Sequence, residues 1–211
     1  RAIARGGTIL IPAFSLERTQ LMLYELSNFF AEGSLQKVPV FLDSPLAIRV
    51  TAVYEKWGLT YFKPETEDEM KREGSIFEFP FLKQTLSRDD SMAIEKVPGP
   101  KIIIAGAGMS HGGRIGRWEA RYLPDPSSTL IIVGYQAPGT PGRRMMEGAS
   151  NVRLKFAEES LPRPKVIFTA IGEPKAERFL AQRIHDYLGG NAIVPELGQT
   201  WEITKDSVKK I

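Results

Sequence analysis

Short apolar runs alternate along this chain with longer stretches in which apolar residues recur every three or four positions. The runs TILIP (8–12), VPVFL (38–42), KIIIA (101–105) and TLIIVG (129–134) have the length and β-branched content of buried strands. Two further strands are expected at 165–170 and 191–195. Between them the 3.6-residue period predicts helices over 16–30, 45–57, 113–123, 140–148 and 174–188. In the first helix Leu23, Leu26 and Phe30 share one stripe, with Ser15 placed to cap it, and Pro45 suits the opening turn of the second. Residues 58–99 are more polar, with a charged helix over 65–72 and a Phe/Pro patch at 77–81, and read as an excursion on the rim. Strands alternating with helices predict an α/β fold: a mostly parallel sheet with helices on both faces.

Composition narrows the class. The 211 residues are 42% hydrophobic and 25% charged, enough to bury a substantial core in one or two domains. A net charge of +3 and a pI of about 9.1 admit an anionic partner without demanding one, because the basic residues are scattered. There is no cysteine, which excludes disulfides and thiolate metal sites. No apolar run approaches membrane-spanning length and no signal-peptide pattern opens the chain, so the expected location is cytoplasmic with no membrane partner. A first residue Arg1 rather than methionine suggests a fragment.

The chemistry gathers at strand ends. After 101–105 comes a glycine-dense turn, GAGMSHGGR, in which Gly106, Gly108, Gly112 and Gly113 leave amide N–H groups uncovered before a helix start. That is where open α/β sheets place ligands, and Arg114 adds a fixed positive charge. Similar chemistry follows the other strands: Ser15 and Arg18, then Asp43-Ser44-Pro45, then Gly134-Tyr135-Gln136 with Thr140, Arg143 and Arg144. Parallel strands bring these ends to one edge, which suits a sugar–phosphate chain. Two plainer readings stay open: the turn as a connection without a ligand, and Ser15, Ser44 and Thr140 as helix caps. A dinucleotide fold is excluded, since Gly112 falls one residue late for G-x-G-x-x-G and no ribose-binding acid ends the next strand.

In order, GGTILIPAFSLERTQ, VFLDSPLA, IIIAGAGMSHGGRIGRW, LPDP and LIIVGYQAPGTPGRR resemble the β-CASP domain of metallo-β-lactamase-fold RNA nucleases. The later VIFTAIGEPKAERFLAQRI resembles the strand and helix that complete the lactamase domain. The resemblance implies a β-CASP-like RNA-clamping domain over 1–150 and a C-terminal lactamase piece over 151–211. It implies a substrate-binding wall for single-stranded RNA made of Ser15, Arg18, Ser44, Gly106, Gly108, Gly112, Gly113, Arg114, Thr140, Arg143 and Arg144. A complete family member is expected to hold two zinc ions that hydrolyse the phosphodiester. This chain lacks the family's HxHxDH motif, has no S-[AG]-H-A-type motif after Lys155, and carries Ile171 where a histidine ligand is expected. Its two histidines, His111 and His185, cannot assemble a zinc set, so no metal, cofactor or catalytic residue is expected within it. Two readings follow: the substrate-binding part of a zinc-dependent nuclease, inactive as the isolated chain, or a metal-free RNA-binding or scaffold subunit. A homodimer, and internal versus terminal cutting, are left open. Glu17 beside Arg18 departs from the family and offers that arginine a rival partner.

Overall fold

The computed structural model describes residues 2–149 and 151–157, and beyond them the backbone of strands at 161–162, 167–169, 201–203 and 208–210. The strands are β1 (Thr8–Pro12), β2 (Val40–Leu42), β3 (Leu82–Gln84), β4 (Lys101–Ala105) and β5 (Thr129–Ile132). After the short strands β6 (Asn151–Val152) and β7 (Leu161–Pro162) comes β8 (Ile167–Thr169). Six of them form one sheet in the order β3-β2-β4-β1-β5-β8, parallel at every pairing. Every residue of β1 and of β4 is buried, as central strands covered on both faces require.

Side chains alternate between two cores. Ile9, Ile11, Val40, Leu42, Ile102 and Ile104 point to one face, where they meet Leu23, Leu26 and Phe30 of α1 (Arg18–Ala31) and Ala47 and Ile48 of α2 (Pro45–Tyr61). Leu10, Phe41, Ile103 and Leu130 point to the other, against Ile115 and Trp118 of α5 (Gly113–Tyr122) and Met145 of α6 (Pro141–Met146). Connections that step toward β3 therefore cross one face and those that step toward β8 cross the other, as right-handed crossovers demand. The direction of winding changes between the neighbours β4 and β1, and a doubly wound sheet opens a crevice at such a switch.

The chain divides into two compact units, Arg1–Ala170 and Ile171–Ile211. In the second, β9 (Trp201–Ile203) and β10 (Val208–Lys210) pair antiparallel. The boundary expected near residue 150 falls inside the first unit, because β8 pairs with β5 from Leu130↔Ile167 to Ile132↔Thr169. The expected helix at 174–188 and strand at 191–195, with Ile171 and His185, lie outside the described residues.

Three local readings are corrected. The first helix starts at Arg18, not at residue 16, and Ser15 does not cap it; Glu17 precedes it at φ 66°. A tight turn takes the cap's place: Thr19 Oγ1 donates to the Phe14 carbonyl at 2.7 Å and Gln20 Nε2 to the Ser15 carbonyl at 3.2 Å. The second helix runs on through Gly58 to Tyr61. A methyl group on Gly58 would sit 2.8 Å from Met70 Sδ of α3 (Pro64–Glu73), so this glycine is a packing point and not a helix end. The polar excursion contributes the edge strand β3 and a helix α4 (Arg88–Ala93), which opens on a reciprocal Ser87–Asp90 capping box.

Candidate nucleic-acid interface

At the switch point three strand ends converge. A methyl group built on Gly106 would lie 3.7 Å from Ser44 Oγ and 3.9 Å from both Ser15 Oγ and the Ala13 carbonyl. The Ser15 and Ser44 hydroxyls are 3.5 Å apart. Ser44 also caps α2, accepting from the Ala47 amide at 3.3 Å. The glycine turn folds tightly on itself: Gly113, at φ 65°, has no room for a side chain because a Cβ would strike the Gly106 carbonyl at 2.3 Å. Its backbone bonds run from Ala107 N–H to Gly112, Ser110 N–H to Ala107 and Ile115 N–H to Gly106. None of them uses the amides of Gly108, Gly112 or Gly113 as donors.

Beside the turn sits a residue that the sequence marks at a strand end but that is not among the expected wall residues. Asp43, fully buried at the end of β2, accepts four side-chain hydrogen bonds. Thr85 Oγ1 and Arg114 Nη1 donate to its Oδ1, both at 2.6 Å; Ser91 Oγ and Trp118 Nε1 donate to Oδ2, both at 2.7 Å. Arg114 also donates to the Thr85 and Leu86 carbonyls at 2.9 and 3.0 Å, so the guanidinium ties α5 to the end of β3. The signal available in the sequence was a lone carboxylate ending an apolar strand.

On the other side of the turn, Gln136 Nε2 donates to the Gly108 carbonyl at 2.7 Å and the Gly142 amide to the Met109 carbonyl at 3.2 Å, which brings α6 alongside. Thr140 caps that helix through the Arg143 amide. Arg143 pairs with Glu147 at 2.6 Å and Arg144 donates to the Asn151 carbonyl at 3.4 Å, so neither bonds to the turn. A cavity of about 530 Å³ opens here, lined by His111, Pro141, Arg153, Leu154, Lys155 and Ala157. Lys155 reaches the turn, its Cδ 3.8 Å from a Cβ built on Gly112. Residues 154–157 form a continuous turn, with the Ala157 amide on the Leu154 carbonyl at 3.2 Å.

Three cations at this edge, Arg18, Arg153 and Lys155, have no carboxylate partner among the described residues; Glu17 does not pair with Arg18. Two aromatic rings stand exposed at the same strand ends, Phe14 after β1 (39%) and Tyr135 after β5 (67%). Beneath the turn, Glu119 of α5 is fully buried. Its Oε1 accepts from Ser110 Oγ at 2.6 Å, while Oε2 has no partner among the described residues. Burial pushes its carboxyl up to about 8, and the Ser110 hydrogen bond only partly opposes that. Among the described residues no group of three histidines or carboxylates is placed to hold a metal ion, and no helix is long and apolar enough to cross a membrane.

Fold and edge together define a doubly wound α/β domain with hydroxyls and a glycine turn at its switch point and, nearby, cations without a carboxylate partner among the described residues. The Beta-Casp domain family matches residues 19–145, and the chain belongs to that family. It is similar to Ribonuclease TTHA0252 of Thermus thermophilus, with 34% identity over 162 residues, 76% of this chain and 37% of the relative. It is 34% identical to an RNase J-like protein of Methanocaldococcus jannaschii over 174 residues, 81% of this chain and 39% of that protein. Transcription termination factor FttA of Methanosarcina mazei is 28% identical, covering 88% of this chain and 34% of its own length. The chain thus spans well under half the length of these relatives.

Proposed function

We propose that this chain holds single-stranded RNA for an RNA-processing nuclease of the metallo-β-lactamase β-CASP class. The observation that carries the reading is the convergence at the switch point: Ser15, Ser44 and the glycine turn meet at an edge where Arg18, Arg153 and Lys155 have no carboxylate partner among the described residues. Cations and amides position phosphates, and Phe14 and Tyr135 offer rings on which bases stack without regard to sequence. In this reading the two zinc ions that the resemblance implies belong to the rest of a complete family member, and the chain's part is to bind and orient the strand. A second reading, a metal-free RNA-binding or scaffold subunit, is favoured by Ile171, whose aliphatic side chain cannot ligate zinc.

Binding of a fluorescent single-stranded RNA at several salt concentrations tests this. Arg18→Ala and Lys155→Ala should each weaken binding about equally across sequences and lower the salt slope by roughly one unit. A wild-type chain that binds no RNA, or variants with unchanged slopes, would refute it. RNA cleavage by the purified chain with added zinc tests both readings together: none is expected from either the isolated binding part or the scaffold, so cleavage overturns both.

A further inference from the structure

We propose that α2 extends the RNA track away from the sheet edge, with bases stacking on Trp57 and Tyr61 and phosphates meeting Arg49, Lys56 and Lys63; this rests on the RNA reading above. The helix starts beside Ser44, one of the two hydroxyls at the crevice. Its 17 residues carry the far end about 24 Å from that point at 1.5 Å per residue. Along one side Leu46, Val50, Val53, Trp57 and Tyr61 follow each other at spacings of three and four, a single stripe on a helix.

That stripe is not core. Leu46 is 63% exposed, Val53 55%, Trp57 48% and Tyr61 77%, while Ala47, Ile48, Thr51 and Gly58 are the residues α2 buries. A row of large apolar side chains left in solvent marks a contact surface. Charge decides its occupant. Arg49, Lys56 and Lys63 are exposed, and Lys56 Nζ lies 5.4 Å from the centre of the Trp57 ring. The only acid on α2, Glu55, is half-buried and accepts from Ser75 Oγ at 2.8 Å. The face therefore shows rings and cations without an exposed carboxylate. A second copy packed across a two-fold would set two faces of the same positive sign against each other. A single strand of RNA satisfies both features, since every base has a π-face and every phosphate a charge. The Trp57 and Tyr61 ring centres are 6.4 Å apart, adjacent faces for neighbouring bases. The track ends at Lys63, just beyond α2, because the next helix exposes Glu65 and Asp68.

The intact chain is titrated with a tetranucleotide and with an oligomer of about 16 nucleotides. The variants are Trp57→Ala with Tyr61→Ala, both changed to Phe, and Lys56→Glu. The alanine pair should lose roughly five-fold or more on the long RNA for each ring removed. The tetranucleotide, which reaches only the sheet edge, should bind unchanged. The Phe pair should restore the long-RNA affinity, and Lys56→Glu should weaken the long RNA alone. If the wild type binds both RNAs and the alanine pair leaves the long one unchanged, the α2 track is wrong while the edge site stands. If the wild type binds neither, both readings fail. An acidic amphipathic peptide that binds this face and that long RNA does not displace would also overturn the track.

Discussion

Asp43→Asn is the sharpest perturbation of the edge. The carboxylate has no solvent-accessible surface and receives two donors on each oxygen. An amide has only one acceptor oxygen. With its nitrogen in place of Oδ2 it meets Trp118 Nε1–H, and in place of Oδ1 it meets the Arg114 guanidinium; both of these groups can only donate. Either flip sets donor against donor and removes the charge opposite Arg114. Hydrogen bonds to charged groups contribute about 1.5–3 kcal/mol each, and breaking a buried ion pair costs about 3–5 kcal/mol. The four bonds share one carboxylate and do not add, so the expected loss is about 3–5 kcal/mol, a large part of a typical ~5–15 kcal/mol. At about 2–4 °C per kcal/mol for a chain of this size, the melting temperature should fall by roughly 6–20 °C. Urea unfolding followed by far-UV circular dichroism measures it. Arg114→Ala should cost a comparable amount, and the double variant clearly less than the sum. A loss below about 1 kcal/mol for Asp43→Asn at unchanged m-value would show that the carboxylate does not hold these segments together.

Burial holds the Glu119 carboxyl up at about 8 against 4.5 in the open. The folded chain therefore keeps a proton that the unfolded chain releases. The stability this group contributes is whole below about 4.5 and is lost progressively as pH rises through about 8. Glu119→Gln should flatten that fall, read as urea midpoints at pH 5 and pH 8; equal pH slopes in both proteins would count against a neutral buried acid. Gly113→Ala should lower the melting temperature by several degrees and weaken RNA binding, since a Cβ there meets the Gly106 carbonyl at 2.3 Å and φ is 65°. A variant that melts and binds like the wild type would mean the turn is not held in this conformation.

The strand–turn–helix unit around residues 101–122 was legible because each signal is local: an apolar run, a glycine break, then a helical period. The edge strand β3 was not, because Leu82, Lys83 and Gln84 carry no apolar pattern and are ordered by pairing with β2 from 40 residues away. Lys101 misleads in the same manner. It reads as a polar strand start, yet it is only 2% exposed, with Nζ donating to the Ile94 and Val97 carbonyls and to Tyr122 Oη at 2.8, 2.7 and 2.9 Å. That burial lowers its pKa. At the site, the convergence of Ser15, Ser44 and Gly106 follows from parallel strands alone. Where Arg114 points does not, because its anchor Asp43 lies 71 positions earlier and its spacing to the glycines fits a ligand equally well.

The strand order has a consequence for synthesis. Among the described strands β1 pairs with β4 and β5, and β2 with β3 and β4, so β1 and β2 do not pair with each other. The strand that joins them begins 59 residues after Leu42. At about 5–20 residues per second, a ribosome takes roughly 3–12 s to supply it. For that interval TILIP lacks both of its neighbours in this sheet, and VFL has at most the short edge strand β3. The crevice between β1 and β4 that holds the candidate site therefore cannot form until β4 is made, and the two strands made before it are the ones in need of shelter while they wait.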